Sequence, residues 1–137
     1  MKGQCLCGKT RFTAEILTSD VQVCHCSMCR RHAGGVVMSV DIVPKSLIFK
    51  SKTNLKIYKS SDWGERGFCG YCGTALFWRL KNNEYCNVNV FVLDIPECDL
   101  HLDTELYIDQ KPAFYAFKNH TKQMTEADVI ELFLQSE

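Results

Sequence analysis

The stretch CGYCG at residues 69–73 contains two cysteines with two residues between them, followed by a glycine. Similar groups occur as CLCG at residues 5–8 and as CHCSMC at residues 24–29. Cysteines this close along the chain allow two sulfurs to reach one metal ion about 2.3 Å away. Glycine eases the tight backbone turn that such spacing requires. Metal binding is therefore the leading interpretation of these three groups.

Composition favours metal binding over a disulfide framework. The chain has nine cysteines among 137 residues, an odd number. The N-terminus lacks the apolar run of a signal peptide, and no stretch approaches the roughly 20 apolar residues that cross a bilayer. We therefore expect a cytoplasmic protein with no membrane partner, whose thiols stay reduced.

The overall charge argues against a nucleic-acid-binding protein. Sixteen basic residues are balanced by 16 acidic residues, so neither a uniformly basic surface nor disorder through self-repulsion is expected. No internal repeat and no linker rich in proline, glycine or serine interrupts the chain. We expect a single domain over residues 1–137.

Short segments rich in β-branched and aromatic residues predict a mainly β fold built of small antiparallel sheets. The predicted strands are residues 9–14, 36–40, 47–49, 55–58, 74–79, 85–92 and 106–108, and a loop is expected over residues 62–67. A short helix is expected over residues 26–32. A C-terminal helix is expected after Thr125, because Thr125 and Asp128 resemble a capping box.

Seven of the nine cysteines can be divided between two metal sites. Zinc sites in proteins have either four protein ligands or three ligands and an open position. The central group can supply three ligands alone, so the two outer pairs most economically join each other. The predicted ligands are Cys5, Cys7, Cys69 and Cys72 for a closed structural zinc, and Cys24, Cys26 and Cys29 for an open, catalytic zinc.

Three thiolates leave a bound zinc with a net negative charge, which makes it a weak activator of water. Such a site is better suited to bind one further thiol, so the expected substrate is a thiol or a thiol adduct. From spacing alone, closure of this site by His25 or His32 remains an alternative. Iron in the four-cysteine site, with a redox role, is another.

Three further side chains are candidates for contact with substrate. Arg30 and Arg31 could bind a carboxylate in bidentate fashion, and Trp63 could form one wall of a pocket. Alternatively, the arginines are solvated or hydrogen-bond the zinc thiolates, and Trp63 packs over a metal-bearing turn. A basic strip with interleaved aromatics could contact phosphates, or it could be the solvated face of a hairpin; its lysines are Lys45, Lys50, Lys52, Lys56 and Lys59.

The cysteine motifs together resemble the glutathione-dependent formaldehyde-activating enzyme family, which also includes a centromere protein. The matching segments are QCLCG at residues 4–8, CHCSMCRR at residues 24–31 and FCGYCGTALFW at residues 68–78, and the order and spacing match over residues 3–95. The resemblance implies a zinc-stapled β-tent fold. It also implies the same division of the cysteines, with a structural zinc at the outer pairs and a catalytic zinc at the central group.

The activity implied by the resemblance is the condensation of glutathione with formaldehyde to S-hydroxymethylglutathione, or the reverse carbon–sulfur lyase reaction. The chain departs from the family pattern in its last third. Glu105 and Phe114 stand where such proteins tend to carry histidine and tryptophan.

Two functional hypotheses follow. The first is a zinc-dependent carbon–sulfur lyase or synthase acting on a thiol–aldehyde adduct, with glutathione as a candidate thiol. The second is a non-catalytic zinc-stapled module that binds nucleic acid or protein. The exposed edges of short strands would also permit a homodimer.

Overall fold

The structure is a computed structural model that describes residues 1–135. Within these residues the chain forms eleven short strands, two α-helices and three one-turn 3-10 helices, the last at Val90–Val92, Glu97–Asp99 and Ile108–Gln110. In chain order the strands and α-helices are β1 (Lys2–Gln4), β2 (Arg11–Thr13), β3 (Asp20–Cys24), α1 (Ser27–Ala33), β4 (Val37–Ile42), β5 (Ile48–Phe49), β6 (Leu55–Tyr58), β7 (Gly64–Cys69), β8 (Ala75–Leu80), β9 (Cys86–Asn89), β10 (His101–Leu106), β11 (Lys122–Met124) and α2 (Glu126–Gln135). The predicted mainly β fold with a short C-terminal helix is confirmed.

The described residues form two compact units, each built from two separate stretches of the chain. The first contains residues 1–19 and 39–99, and the second contains residues 20–38 and those from residue 100 onward. The single domain expected over residues 1–137 stays a prediction. No helix within residues 1–135 combines the length and the apolar character needed to cross a membrane.

The first unit is antiparallel throughout. It has a three-stranded sheet in the order β1-β2-β5 and a run of strands in the order β4-β9-β8-β7-β6. In β9, Cys86 and Val88 point into the core and are almost fully buried, as the alternating sequence predicts. Val40 in β4 and Leu76 in β8 are buried as well.

The sequence indicated a loop over residues 62–67, and this prediction was wrong because β7 begins at Gly64. The glycines of this segment belong to the strand. A Cβ atom at Gly67 would lie 2.1 Å from the ring of Phe77, and one at Gly64 would lie 2.6 Å from the ring of Trp78. Glycine is therefore needed here so that aromatic rings of β8 can lie against the β7 backbone.

The second unit has parallel strands, in the order β11-β10-β3. The sequence predicted mainly antiparallel pairing, and these parallel pairs depart from it. Parallel strands need long connections, and residues 25–100 lie between β3 and β10. The predicted strand at residues 106–108 was misplaced, since β10 ends at Leu106. Helix α2 begins at the predicted capping box, in which the Thr125 N–H donates to Asp128 Oδ2 and the Asp128 N–H donates to Thr125 Oγ1.

Candidate metal centres

Two similar turns bring together Cys5, Cys7, Cys69 and Cys72, which we call the four-cysteine cluster. In the turn between β1 and β2, the Cys5 N–H donates to the Thr10 carbonyl at 3.0 Å; after β7, the Cys69 N–H donates to the Thr74 carbonyl at 2.9 Å. Each turn contains a glycine in the left-handed region, with φ values of 78° and 82°. The shared geometry explains why both pairs are followed by glycine.

The sulfur positions of the four-cysteine cluster fit one tetrahedral metal ion. All four sulfurs lie within 4.8 Å of one another. The Cys5 and Cys7 sulfurs are 3.4 Å apart, and the Cys7 and Cys69 sulfurs are 3.9 Å apart. Four thiolates around one zinc would be separated by about 3.8 Å, given Zn–S bonds of about 2.3 Å.

Hydrogen-bond donors surround these sulfurs, as thiolate ligands require. The Thr10 N–H donates to Cys5 Sγ at 3.3 Å. The Thr74 hydroxyl accepts from the Leu6 N–H at 3.1 Å and lies 3.1 Å from Cys72 Sγ, so its own proton is available to a thiolate there. This contact, followed by a hydrogen bond from the Thr74 backbone, lowers the pKa of Cys72 to about 5. The Thr74 hydroxyl thus joins the two turns and favours the charged, metal-binding form of Cys72.

Cys24, Cys26 and Cys29 form the three-cysteine cluster at the junction of β3 and α1. Cys24 is the last residue of β3, Cys26 is the N-cap of α1, and Cys29 lies buried in the first turn of that helix. The Cys29 N–H donates to Cys26 Sγ at 3.3 Å, which favours a thiolate at Cys26. The three sulfurs lie within 4.8 Å of one another. Within residues 1–135 no fourth histidine, cysteine or carboxylate joins them.

The donor set of the three-cysteine cluster also fits a metal cation. Hydrogen bonds with the neighbouring sulfurs of Cys26 and Cys29, followed by burial, raise the pKa of Cys24. Three thiolates this close repel one another, so they can all be charged together only when a cation lies among them. The same argument explains why the cluster would bind zinc as thiolates and not as neutral thiols.

His25 does not complete the three-cysteine cluster, although it lies between two of its members. The imidazole is fully buried. Its Nδ1 lies 2.8 Å from the Tyr115 hydroxyl, and its Nε2 lies 2.8 Å from Glu105 Oε1. Thr121 Oγ1 donates to the other Glu105 oxygen. Both ring nitrogens therefore have partners, and closure of the site by His25 is not what the structure shows. The other candidate, His32, is exposed and stands outside the cluster.

The three predicted substrate contacts have different surroundings. Arg30 Nε donates to the His25 carbonyl at 2.9 Å, and its Nη2 donates to the Gln110 carbonyl at 3.4 Å, so this arginine braces the backbone beside the cluster. Arg31 is exposed. Trp63 is 46% exposed, and its ring meets that of Trp78 edge to face at 5.6 Å.

The basic strip lies on or near an exposed strand. All five of its lysines are exposed, and Lys56 is part of β6, which stands last in its run of strands. Lysine at such an edge discourages pairing between molecules. This placement fits the solvated face of a hairpin.

Sequence reasoning missed several residues around the three-cysteine cluster. Tyr107 follows β10 with a left-handed backbone, and Tyr115 contacts His25. No local pattern marks either residue, because their partners are distant in sequence; His25 and Glu105, for example, are 80 residues apart. A third group that could hold a metal, in which His101 is one member, was also missed. It is mainly exposed, and its carboxylates come from Asp20 and Asp103.

The fold and the paired cysteines define a class, that of mainly β proteins with two cysteine clusters that could each hold a metal ion. Residues 1–110 match the glutathione-dependent formaldehyde-activating enzyme family. The chain belongs to this family.

Individual relatives agree with this assignment. An uncharacterized lyase of Schizosaccharomyces pombe is 31% identical over 132 residues, which is 95% of this chain and 94% of the relative. A protein of Halomonas elongata that is assigned by name to the glutathione-dependent formaldehyde-activating enzymes is 29% identical over 85 residues, which is 56% of this chain and 54% of the relative. The crystal structure of a Rhodobacter sphaeroides protein superposes with a TM-score of 0.59 at 28% identity, covering 74% of this chain and 97% of that chain. These relationships identify the chain as an enzyme of the lyase class.

Proposed function

We propose that the chain is a zinc-dependent carbon–sulfur lyase that acts, in either direction, on the adduct of a thiol and an aldehyde, such as S-hydroxymethylglutathione. The observation that carries this proposal is the three-cysteine cluster, which has no fourth protein ligand within residues 1–135. A closed structural site uses four protein ligands, whereas a reactive one keeps a position open. The family match and the lyase relative support the same reaction class.

When bound by the three thiolates, zinc would supply one open position for the sulfur of the substrate and stabilise its negative charge. In the cleavage direction, the electron pair of the C–S bond leaves with sulfur. The electron pair of the substrate O–H bond forms the aldehyde C=O, and the proton passes to water. The Cys29 N–H holds charge on Cys26 during this step, and Arg30 fixes the backbone at His25 between two of the ligands.

The four-cysteine cluster would hold a second, structural zinc. Its two turns are far apart in sequence, since Cys7 and Cys69 are 62 residues apart. A metal ion bound there contributes directly to the free energy of folding, because the unfolded chain has no preformed site. The proposed enzyme therefore contains two zinc ions per chain with different roles.

Glutathione is the candidate thiol, and the cytoplasm is the proposed location. Since Arg30 is engaged with main-chain carbonyls, the exposed Arg31 is the better candidate to bind a substrate carboxylate. A role for Trp63 in substrate contact, and a homodimer, remain predictions.

The test is an assay of zinc-loaded protein for the release of formaldehyde and free thiol from S-hydroxymethylglutathione and from adducts of smaller thiols. Cys26→Ser should abolish turnover. Cys98→Ser is the matched control, because Cys98 is exposed and belongs to neither cluster. Full turnover in the Cys26→Ser variant would overturn the proposal.

A further inference from the structure

Tyr107 has a backbone conformation that aromatic residues rarely adopt. Its φ and ψ values are 56° and 46°, in the left-handed region. That region is disfavoured for residues other than glycine, asparagine and aspartate. Strained residues of this kind are concentrated at functional sites, where the surrounding structure enforces the geometry.

The fold places Tyr107 beside the three-cysteine cluster. The preceding residue, Leu106, is the register partner of Cys24, and its carbonyl accepts from the His25 N–H at 3.0 Å. The ring is partly buried. Burial, followed by the charges of Cys24 and Cys26, raises the pKa of Tyr107 to about 12, so the phenol is protonated at neutral pH.

The hydroxyl group of Tyr107 is uncommitted, unlike that of its neighbour Tyr115. Within residues 1–135 the Tyr107 hydroxyl makes no hydrogen bond. The Tyr115 hydroxyl is 2.8 Å from Nδ1 of the buried His25. Tyr107 directly follows the register partner of Cys24, and its partly buried phenol without a partner leaves a donor available for a ligand.

We propose that Tyr107 is a catalytic residue whose hydroxyl donates a hydrogen bond to the oxygen of the thiol–aldehyde adduct. This inference rests on the proposed function. In cleavage, the adduct oxygen loses its proton to water and gains charge before the C=O bond is complete; in condensation, the aldehyde oxygen gains charge as sulfur attacks carbon. A donor aimed at this oxygen stabilises both transition states. The phenol keeps its proton throughout.

The first experiment compares the wild type with Tyr107→Phe and the matched control Tyr115→Phe, all zinc-loaded. The Tyr107→Phe variant lacks the proposed hydrogen-bond donor, so its kcat should fall on the order of 100-fold. Binding is measured separately with two stable ligands, S-(2-hydroxyethyl)glutathione and S-propylglutathione. The wild type and the Tyr115→Phe variant should bind the hydroxyl-bearing ligand about tenfold more tightly, and Tyr107→Phe should bind the two equally.

The second experiment uses Tyr107→Asn, because asparagine tolerates the left-handed conformation. If Tyr107 is needed for catalysis and is strained, its replacement by asparagine should relieve the strain and remove the hydroxyl. The Tyr107→Asn variant should then have an unchanged or higher Tm and a strongly reduced kcat. A lower Tm with unchanged kcat would show a purely structural role and overturn the inference.

The outcomes separate this inference from the proposed function. Normal turnover in Tyr107→Phe would overturn the role of Tyr107 and leave the lyase function standing. Absence of turnover by the wild type on every adduct would overturn the lyase function. The ligand comparison then decides the role of Tyr107 alone, since equal binding of the two ligands by the wild type contradicts it.

Discussion

The four-cysteine cluster and the three-cysteine cluster share the same ligand atoms but differ in the backbone that presents them. The first joins two glycine turns from distant parts of the sequence. The second lies within six residues, at the end of β3 and the start of α1. A metal ion in the first would close a long loop, whereas the second is already held by local structure. On the proposed function, this difference means that the first cluster stabilises the fold and the second is available for chemistry.

The largest effect is expected from Cys69→Ser in the four-cysteine cluster. Structural zinc binding is worth about 10–16 kcal/mol in small zinc domains, so loss of one buried ligand should reduce the free energy of unfolding by about 5 kcal/mol or more. Thermal and urea unfolding measure the change, with Cys86→Ser as a control that alters a buried thiol outside both clusters. Equal losses of stability in Cys69→Ser and Cys86→Ser would show that the four-cysteine cluster contributes no more to stability than an ordinary buried cysteine.

Cys26→Ser should separate activity from stability. Serine is a good N-cap, so it can still accept from the Cys29 N–H and preserve α1. Turnover should fall by about 1000-fold or more, while the free energy of unfolding changes by less than about 1 kcal/mol. Cys26→Ala, which removes the cap as well, should lose about 1 kcal/mol more in stability. A loss of stability in Cys26→Ser as large as that in Cys69→Ser would show that both clusters are structural.

Glu105→Gln tests the buried network that supports the three-cysteine cluster. Hydrogen bonds from Thr121 and His25 outweigh burial and hold the pKa of Glu105 below its ordinary value of 4.5. The variant should lose about 1–3 kcal/mol of stability at pH 7.

The lowered pKa of Glu105 also determines how the stability of the protein depends on pH. Its contribution to stability is complete above pH 4.5 and is lost as the pH falls through the lowered value. The gap in stability between the wild type and Glu105→Gln should therefore narrow in acid, as followed by unfolding at several pH values. Glu15→Gln, at an exposed position, should show no gap at any pH. A gap that widens in acid would contradict the assigned ionisation.

The smallest effects concern the two arginines. Arg30→Lys should lower the free energy of unfolding by about 1 kcal/mol, because a lysine cannot reproduce hydrogen bonds to two carbonyls. Arg31→Lys should leave stability unchanged and raise KM for an adduct that carries carboxylates, with kcat unaffected. A raised KM in Arg30→Lys together with a loss of stability in Arg31→Lys would mean that Arg30 binds the substrate and Arg31 supports the backbone.

The sequence could predict the cysteine groups because each is local. Paired cysteines with a following glycine force their sulfurs to one side of a turn, and the capping box at Thr125 marks a helix start without any tertiary information. Several strands were found for a similar reason, since short segments with β-branched and aromatic residues, such as residues 55–58, predict them directly.

The missed features depend on distant parts of the chain. Strand β10 reads His101-Leu-Asp-Thr-Glu-Leu, with polar residues at alternate positions, and it is defined by parallel neighbours on both sides. The glycines of β7 suggested a loop because the aromatic rings that require them lie in another strand. The left-handed backbone of Tyr107 and the pairing of His25 with Glu105 follow from this same long-range assembly.

The most direct test of the central claim is the zinc content per chain of the wild type, Cys26→Ser and Cys69→Ser, with the number of free thiols counted after zinc is supplied. If the four-cysteine cluster is a closed site and the three-cysteine cluster an open one, the wild type should contain two zinc ions. The ion of the open site should be lost readily to a mild chelator. Cys26→Ser should keep the tightly held ion. One tightly held zinc in the wild type, with Cys24, Cys26 and Cys29 all titrating as free thiols, would contradict the account.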